Sequence, residues 1–442
     1  IDPPISSIPT EQVFQDSATA TSGILGVYSL LTNTGTGMSI GSGRVSELGG
    51  LLSDELILFN QPTGNAFQSN NVLPDNATLY AFWRQGYNII YQTNACIEGI
   101  ENSQELKASV KSKLLAEAKF IRAFCYYYLV NYFENIPYVI STDWNKERSA
   151  SQINKSVVFK NILDDLLYSY DNAEISYSFT KQERIRVTKW AAAALLARVY
   201  LSIGDSEKAI FYSTSVISNS SLFVLVSNPN DVFLKNNKES ILQGSLNNIQ
   251  SPFNATPEGY NFTVNRQGIP YVYLTDNLIK GMDTAIDLRY KAWVGTTVYL
   301  GNKYFYPLKY KVGKANFSAT GSVTEYFVLL RLAEQHLLRA EAKWKSGDFQ
   351  GAIVDINLIR NRAGLPLYSF LTADELLNEI IAQRRIEFFC EWGHRWLDLI
   401  RVGRAKDVLQ PFKPLWKNHS VYMPIPVSEL ISDINLRQNA GY

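Results

Sequence analysis

The segment that most constrains the fold lies near the C-terminus, at residues 384–401, where charged and aromatic side chains are interleaved. Read as one helix, this segment places Glu387 four residues before Glu391, a like-charge pair that destabilises a helix unless cations neutralise it. A segment with this many aromatic residues needs burial. We therefore expect some of its charged side chains to be buried as well, each paired with a group of opposite charge. The apolar stripe runs at spacings of four, four and three residues and consists of Phe388, Trp392, Trp396 and Leu399.

Cationic residues flank this like-charge pair at helical spacing. Arg384 lies three residues before the first glutamate, and Arg395 lies four residues after the second. Asp398 is three residues from both Arg395 and Arg401. These spacings predict ion pairs and indicate fixed tertiary partners rather than a solvated surface helix.

The composition is that of a large globular protein. The chain has 442 residues, of which 46% are hydrophobic and 19% are charged, so it can bury a sizeable core and is unlike a disordered chain. A formal net charge of +1 lacks the basic excess that is typical of nucleic-acid binding, and we expect no nucleic-acid partner. No apolar run is long enough to predict a membrane-spanning helix.

The three cysteines and three histidines are scattered along the chain. Cys96, Cys125 and Cys390 each fall in an apolar helical pattern, which is typical of buried free thiols. An odd number of cysteines without CxxC spacing supports neither a disulfide framework nor a zinc site. Because the histidines do not cluster either, we expect no metal centre and no cofactor.

Two segments are similar to each other and predict helix hairpins. In each segment a Gly-Asp pair, at 204–205 and 347–348, follows a helical stretch, and Ala209 or Ala352 lies five residues after the glycine. Glycine ends the first helix, aspartate caps the second, and the small alanine allows close packing. The unit resembles the tetratricopeptide hairpin, although the two copies lie too far apart for a tandem array.

Two stretches between the helical patterns have the composition of long loops. Residues 219–320 are rich in Asn, Gly, Pro, Ser and Thr and also contain many aromatic residues, and residues 34–79 form a second such stretch. Loops of this length in a compact protein are usually functional or disordered. Alternation from Tyr304 through Tyr306, Leu308, Tyr310 and Val312 predicts a short strand, which Pro307 confines to an edge or a hairpin arm.

Residues 384–401 resemble the C-terminal signature of the SusD/RagB family, with departures at Gln383 and Trp392. The resemblance implies a mainly α-helical, SusD-like fold with scattered tetratricopeptide-like helix hairpins and a loop-rich region with a few short strands. It also implies a single domain over residues 1–442, with a helical scaffold at about 10–218 and 321–442 and a variable ligand-binding excursion at about 219–320. Further similar segments lie at 83–97, 117–124, 331–334, 357–365, 424–426 and 438–442.

The resemblance also implies a function. Members of the family are nutrient-binding lipoproteins of the Gram-negative outer membrane. We therefore expect a cell-surface protein that captures an oligosaccharide or related nutrient and delivers it to a SusC-like, TonB-dependent transporter. The start of the chain, Ile1-Asp2-Pro3-Pro4 followed by polar residues, is similar to the tether that follows the lipidated cysteine in the family, and the implied anchor lies upstream of it. Two alternatives stay open: a peptide or glycopeptide ligand, and a tetratricopeptide-like scaffold that binds a peptide or protein partner.

A glycan site needs aromatic rings for the apolar faces of the sugars and polar side chains for their hydroxyl groups. Aromatic residues interleaved with amides occur in both loop-rich stretches, and the resemblance implies a platform that combines an early loop with the variable excursion. We therefore predict a ligand-binding site formed by Asp54, Asn60, Phe67, Asn71, Arg266, Tyr271, Tyr273, Trp293 and Tyr304.

The charged residues of the family motifs are predicted to be structural rather than catalytic. No GxSxG, Walker, HExxH or GxGxxG motif occurs, and scattered carboxylates do not by themselves indicate a hydrolase, so we expect no enzyme activity. We predict buried ion pairs between helices for Glu117, Arg122, Arg331, Glu334, Glu341, Arg360, Arg362, Glu387, Arg395 and Asp398.

Overall fold

The structure, a computed structural model, describes residues 13–32, 35–61, 65–147, 150–246 and 249–442. None of the helices in these ranges is long and apolar enough to cross a membrane. The prediction of a mainly helical fold with a few short strands is confirmed. The helices are α1 (Ser17–Thr32), α2 (Val45–Leu52), α3 (Ala77–Asn102), α4 (Ala108–Phe133), α5 (Trp144–Glu147), α6 (Lys155–Asn172), α7 (Lys189–Ile203), α8 (Ser206–Ile217), α9 (Pro257–Phe262), α10 (Asp276–Lys280), α11 (Leu288–Trp293), α12 (Leu332–Lys345), α13 (Phe349–Arg362), α14 (Ala373–Phe388), α15 (His394–Arg401), α16 (Ala405–Leu409) and α17 (Val427–Ser432).

The strands pair two by two and are all antiparallel. The pairs are β1 (Leu56–Leu58) with β5 (Val272–Leu274), β2 (Ile136–Pro137) with β3 (Gln152–Ile153), β4 (Ser240–Gly244) with β8 (Phe327–Arg331), and β6 (Val294–Tyr299) with β7 (Asn302–Pro307).

The chain divides into two compact units. Unit 1 comprises Ile1–Thr32, Pro74–Leu196 and Tyr422–Tyr442, and unit 2 comprises Asn33–Leu73 and Ala197–Val421. The predicted excursion at about 219–320 falls wholly within unit 2. The assignment of one domain with a ligand-binding excursion stays a prediction.

Unit 1 is built around α4, which packs against α3 and α6. Gly86 of α3 permits close approach, because a Cβ atom at this position would lie 3.0 Å from a methyl carbon of Leu129. The guanidinium group of Arg122 on α4 donates two hydrogen bonds, of 2.7 and 2.8 Å, to the Asp165 carboxylate on α6. The centre of unit 1 thus joins aromatic and aliphatic packing to a buried ion pair.

Unit 2 contains both predicted hairpin turns, and their details match the prediction. Gly204 and Gly347 have φ values of 87° and 82°, in the left-handed region that favours glycine. The Asp205 side chain accepts a hydrogen bond from the Lys208 amide at 3.0 Å, and Asp348 caps α13 in the same way. The two alanines that follow are completely buried.

The loop-rich stretch from 219 to 320 contains more regular structure than predicted. The strand expected from Tyr304 onward is confirmed as β7, but it ends at Pro307 and forms a hairpin with β6. The other strands escaped the prediction because elements of two to six residues give too little periodicity to detect. β4 is buried along its whole length, so it shows no alternation.

The segment 384–401 is not one helix, and this corrects the prediction. α14 ends at Phe388 and α15 begins at His394, because Cys390, Trp392 and Gly393 all adopt positive φ. The break separates Glu387 from Glu391, so they are no longer neighbours on one helix face. The burial that the aromatic stripe predicted is confirmed, since all four of its members are buried.

Candidate functional site

A closed network of ion pairs forms the interior of unit 2. The carboxylate of Glu387 accepts hydrogen bonds from Arg331 at 2.5 Å, from Arg289 at 3.3 Å and from Arg362. Glu391 accepts two bonds of 2.8 Å from Arg331 and a further bond from Lys309. Together with Glu239 and Asp287, the network balances four cations against four carboxylates.

This network is structural. Its side chains are at most 5% exposed to solvent, so no ligand reaches them from outside. The neighbouring arginines hold the pKa of Glu387 well below its usual range, overcoming the opposing effect of burial.

The predicted ion pairs form, but several partners differ from those suggested by the sequence. Arg384 binds Asp398 at 2.7 Å, and Arg395 binds Asp54 at 2.8 Å, instead of the glutamates at helical spacing. The cause is the break between α14 and α15, which turns these side chains toward other elements. The remaining predicted residues pair as Glu117 with Arg186, Arg122 with Asp165, Glu334 with Arg198, Glu341 with Arg401 and Arg360 with Glu379.

Asp54 lies between this interior and an open groove. Its carboxylate accepts hydrogen bonds from Arg395 at 2.8 Å and from Asn277 at 3.0 Å, and it forms an ion pair with Arg385 at 2.9 Å. Burial raises the pKa of Asp54, but the two arginines more than offset this effect and leave the pKa below its ordinary value. Asp54 is therefore an ionised, well-anchored residue at the start of β1.

The groove beside Asp54 has a volume of about 610 Å³, within the usual range for small-molecule sites. It lies along β1 and β5 and is bounded by α10 and by the turn that follows α16. We call it the β1–β5 groove, and its lining consists of Ser53, Asp54, Leu56, Ile57, Gln68, Tyr273, Thr275, Asp276, Asn277, Lys280, Phe412 and Lys413.

A row of aromatic rings extends from the β1–β5 groove along the β6–β7 hairpin. The rings of Tyr273 and Tyr304 lie 5.2 Å apart edge to face, Tyr304 lies 5.3 Å from Phe59, and Phe59 lies 5.8 Å from Tyr299. All four rings are half-buried. Strand alternation explains the row: Val272 and Leu274 of β5 point into the core, so Tyr273 points to the opposite face.

The structure brings some of the predicted site residues together. Asp54 and Tyr273 line the groove, and Tyr304 contacts Tyr273. Tyr271 lies two residues before Tyr273 on the same face of β5, and its hydroxyl group donates to Glu47 at 2.6 Å. Their role as ligand contacts stays a prediction.

Other predicted residues lie elsewhere. Asn60 and Arg266 are exposed and Asn71 is half-buried, and none of the three lines the groove. Phe67 is only 3% exposed, and Trp293 is fully buried with its indole N–H donating to the Pro229 carbonyl oxygen at 2.8 Å. Phe67 and Trp293 therefore correct the prediction, because both rings pack in the interior and present no surface to a ligand.

Sequence reasoning missed eight polar or aromatic residues of the lining, namely Ser53, Gln68, Thr275, Asp276, Asn277, Lys280, Phe412 and Lys413. Phe412 is 63% exposed, which is unusual for a phenylalanine. The Lys413 ammonium group donates to the carbonyl oxygens of Leu51 and Leu52 at 2.6 and 2.7 Å, and burial lowers its pKa to about 7. No spacing in the sequence connects Phe412 and Lys413 to β1, which lies about 350 residues earlier.

The described residues contain no group of three or more His, Cys, Asp or Glu side chains arranged to hold a metal ion. The three cysteines are buried as free thiols, as predicted. The groove lining itself offers charged and hydrogen-bonding side chains together with the rings of Tyr273 and Phe412.

Comparison with known families agrees with this fold. Residues 197–442 match the family model described as the SusD family. The chain belongs to the SusD family. Residues 15–201 match a second family model, described as "Starch-binding associating with outer membrane". The resemblance found in the sequence is thereby confirmed.

Individual SusD-like proteins are similar over most of the chain. SusD-like protein P2 of Formosa agariphila is 30% identical over 421 residues, which covers 83% of this chain and 81% of that protein. A SusD superfamily protein of Bacteroides vulgatus has the same fold, with a TM-score of 0.82, 21% identity and coverage of 97% of this chain and 100% of the other. A laminarin-binding SusD-like protein gives a TM-score of 0.80 at 22% identity, with coverage of 97% and 100%.

Proposed function

We propose that this protein captures an oligosaccharide at the outer surface of a Gram-negative bacterium and passes it to a SusC-like, TonB-dependent transporter. The observation that carries the proposal is the row of half-buried aromatic rings that continues from the β1–β5 groove. Aromatic rings stack on the apolar faces of sugars, and the amides of Gln68 and Asn277 suit their hydroxyl groups. Starch-binding and laminarin-binding relatives support the same ligand class.

The proposed mechanism is capture and release without chemistry. The charged residues of the interior are paired and shielded from solvent, so they serve the scaffold, and the groove presents side chains suited to binding. An N-terminal lipid anchor and the transporter partner belong to this proposal on the strength of family membership. Release to a partner requires moderate affinity, because a very tightly held ligand dissociates slowly.

Glycan binding is tested on an array of neutral and acidic polysaccharides, followed by calorimetry with the glycan that is retained. The variants Tyr273→Ala and Tyr304→Ala each remove one ring of the row. We expect each to weaken binding about tenfold, or about 1.4 kcal/mol, the size of an aromatic contact. Tyr91→Ala is the matched control, because Tyr91 is an exposed tyrosine on α3 that is not part of the groove lining.

Two outcomes would contradict the proposal. Unchanged affinity in the Tyr273→Ala/Tyr304→Ala double variant would remove the groove as the site. Binding of peptides with no retention on any glycan would favour the tetratricopeptide-like scaffold, the alternative that the two helix hairpins of unit 2 suggest. Transporter association is tested by crosslinking in native outer membranes, where recovery of a TonB-dependent barrel is expected.

A further inference from the structure

The charges around the β1–β5 groove are unevenly distributed. Among the described residues that line the groove or pair directly with its lining, the cationic side chains outnumber the carboxylates by four to two. The cationic residues are Lys280, Lys413, Arg385 and Arg395, and the carboxylates are Asp54 and Asp276.

The Asp54 carboxylate is already occupied by protein donors. It holds Arg395 and Arg385 in ion pairs and accepts from Asn277, so its charge is fully compensated inside the protein. The adjacent Glu55 is only 1% exposed, and burial raises its pKa to about 8. Glu55 is therefore mostly uncharged at neutral pH, and Arg385 and Arg395, which share the single carboxylate of Asp54, account for the positive excess.

The two lysines of the lining differ in setting. Lys280 ends α10 and is exposed, whereas Lys413 is buried. In the described part of the chain the Lys413 ammonium group donates to two carbonyl oxygens at the end of α2. An ammonium group has three N–H donors, so the third remains for a ligand in the groove that Lys413 lines.

We propose that the β1–β5 groove selects glycans that carry an anionic group, a uronic-acid carboxylate or a sulfate ester, and that Lys280 and Lys413 bind this group. This inference rests on the proposed function and specifies its ligand class. Charge-assisted hydrogen bonds to an ammonium group are stronger than neutral ones, and a groove with excess positive charge favours a ligand of opposite sign. Tyr273 and Phe412 remain available to stack on the sugar rings.

The proposal has a consequence for pH dependence. Burial lowers the pKa of Lys413 to about 7, so part of this lysine is neutral in the free protein at pH 7 to 8. A bound anion favours the charged form, so binding takes up a proton and affinity falls as the pH rises from 6 to 8.5. Ionisation of Glu55 near pH 8 adds negative charge and acts in the same direction.

The test compares one glycan in two forms. The protein is applied to an array of neutral, uronate-containing and sulfated polysaccharides, and the best acidic hit is then measured by calorimetry beside its carboxyl-reduced or desulfated form. We expect the acidic form to bind at least tenfold more tightly in 50 mM NaCl, and this advantage to shrink in 300 mM NaCl. The uronate and sulfate arms of the array distinguish the two sources of charge.

Variants locate the effect within the groove. Lys280→Met should weaken binding of the acidic form about tenfold and so reduce the difference in affinity between the acidic and neutral forms. Asp276→Asn should tighten binding of the acidic form about threefold. Lys413→Met tests the buried lysine. If this variant does not fold, Lys280→Met and Asp276→Asn, which change exposed residues, still decide the test. Lys235→Met is the matched control, because Lys235 is exposed and lies outside the groove lining.

The outcomes separate the two proposals. If the array retains only neutral glycans and Lys280→Met does not change the affinity for them, the inference about anionic ligands is overturned, whereas the proposal of glycan capture stands. Retention of no glycan would overturn both. Equal affinity for the acidic form and its carboxyl-reduced or desulfated counterpart would likewise overturn the inference.

Discussion

The ion-pair network around Glu387 and the β1–β5 groove use the same kinds of side chain for different ends. In the network, four cations meet four carboxylates, and all eight side chains are shielded from bulk solvent. In the groove, Lys280 and Asp276 are exposed, and the two arginines that pair with Asp54 leave an excess of positive charge. Access to solvent therefore decides the role of a charged side chain. A shielded side chain with a partner of opposite sign holds elements together, whereas an accessible one beside an excess of positive charge can recognise a ligand.

The largest effect is expected from Glu387→Gln. The change removes the charge that Arg289, Arg331 and Arg362 share, and uncompensated buried charges cost about 3–5 kcal/mol. Urea unfolding followed by circular dichroism measures the loss. Glu379→Gln is the control on the same helix, because its pair with Arg360 is partly exposed and is expected to contribute about 1 kcal/mol or less. Equal losses of unfolding free energy in the two variants would show that the buried network and the partly exposed ion pair contribute alike to stability.

Asp54→Asn tests the carboxylate of the groove lining that is held in ion pairs with two arginines. Loss of the carboxylate weakens its bonds to Arg385 and Arg395, and we expect about 2 kcal/mol of destabilisation, within the range for hydrogen bonds to charged groups. The same change leaves two arginines without their counter-ion beside the groove, so an acidic glycan should bind more tightly. A variant that loses stability and also loses affinity for every ligand would show that Asp54 shapes the groove instead of setting its charge.

Buried glutamates should make stability depend on pH. Burial raises the pKa of Glu258, which accepts a hydrogen bond from Ser46, to about 8. Between pH 4.5 and 8 the folded state keeps a proton that the unfolded state releases, so the unfolding free energy falls as the pH rises, by about 1.4 kcal/mol per pH unit for one such group. Glu258→Gln removes this contribution and should flatten the fall between pH 5 and 8, as measured by urea unfolding at several pH values. A slope identical to that of the wild type would mean that Glu258 is ionised in the folded protein.

The smallest effect is expected from Tyr304→Phe. The ring keeps its edge-to-face contacts with Phe59 and Tyr273, and only the hydroxyl group is lost. We expect at most a threefold change in glycan affinity by calorimetry, compared with about tenfold for Tyr304→Ala. Equal losses in the two variants would assign the contribution to the hydroxyl group and not to stacking.

The scaffold could be predicted well from the sequence because its signals are local. Gly204 with Asp205, and Gly347 with Asp348, predict a helix end and a cap within two residues, and both turns form as expected. The aromatic stripe from Phe388 to Leu399 predicts burial, which the structure confirms. The break between α14 and α15 escaped the prediction, because the helical spacing continues across residues whose positive φ is imposed by the surrounding packing.

The candidate site was predicted only in part. Aromatic composition indicated Tyr273 and Tyr304, but it indicated Trp293 equally. The complete burial of Trp293 follows from where α11 packs. Phe412 and Lys413 carry no local signal, because they reach the groove from a distant part of the chain.

The sequence by itself determined the helical scaffold and the need for paired buried charges, since both follow from residue spacing over short stretches of the chain. Its motifs also resembled those of the SusD/RagB family closely enough to indicate the family. The tertiary structure alone decided which charge meets which partner and which aromatic rings remain at the surface. The physical reason is that pairing and solvent access depend on contacts between residues far apart in the chain. The groove is such a case. Its wall comes from β1, β5, α10 and the turn after α16, and its excess positive charge comes from Arg385 on α14 and Arg395 on α15. These elements meet only when unit 2 is folded.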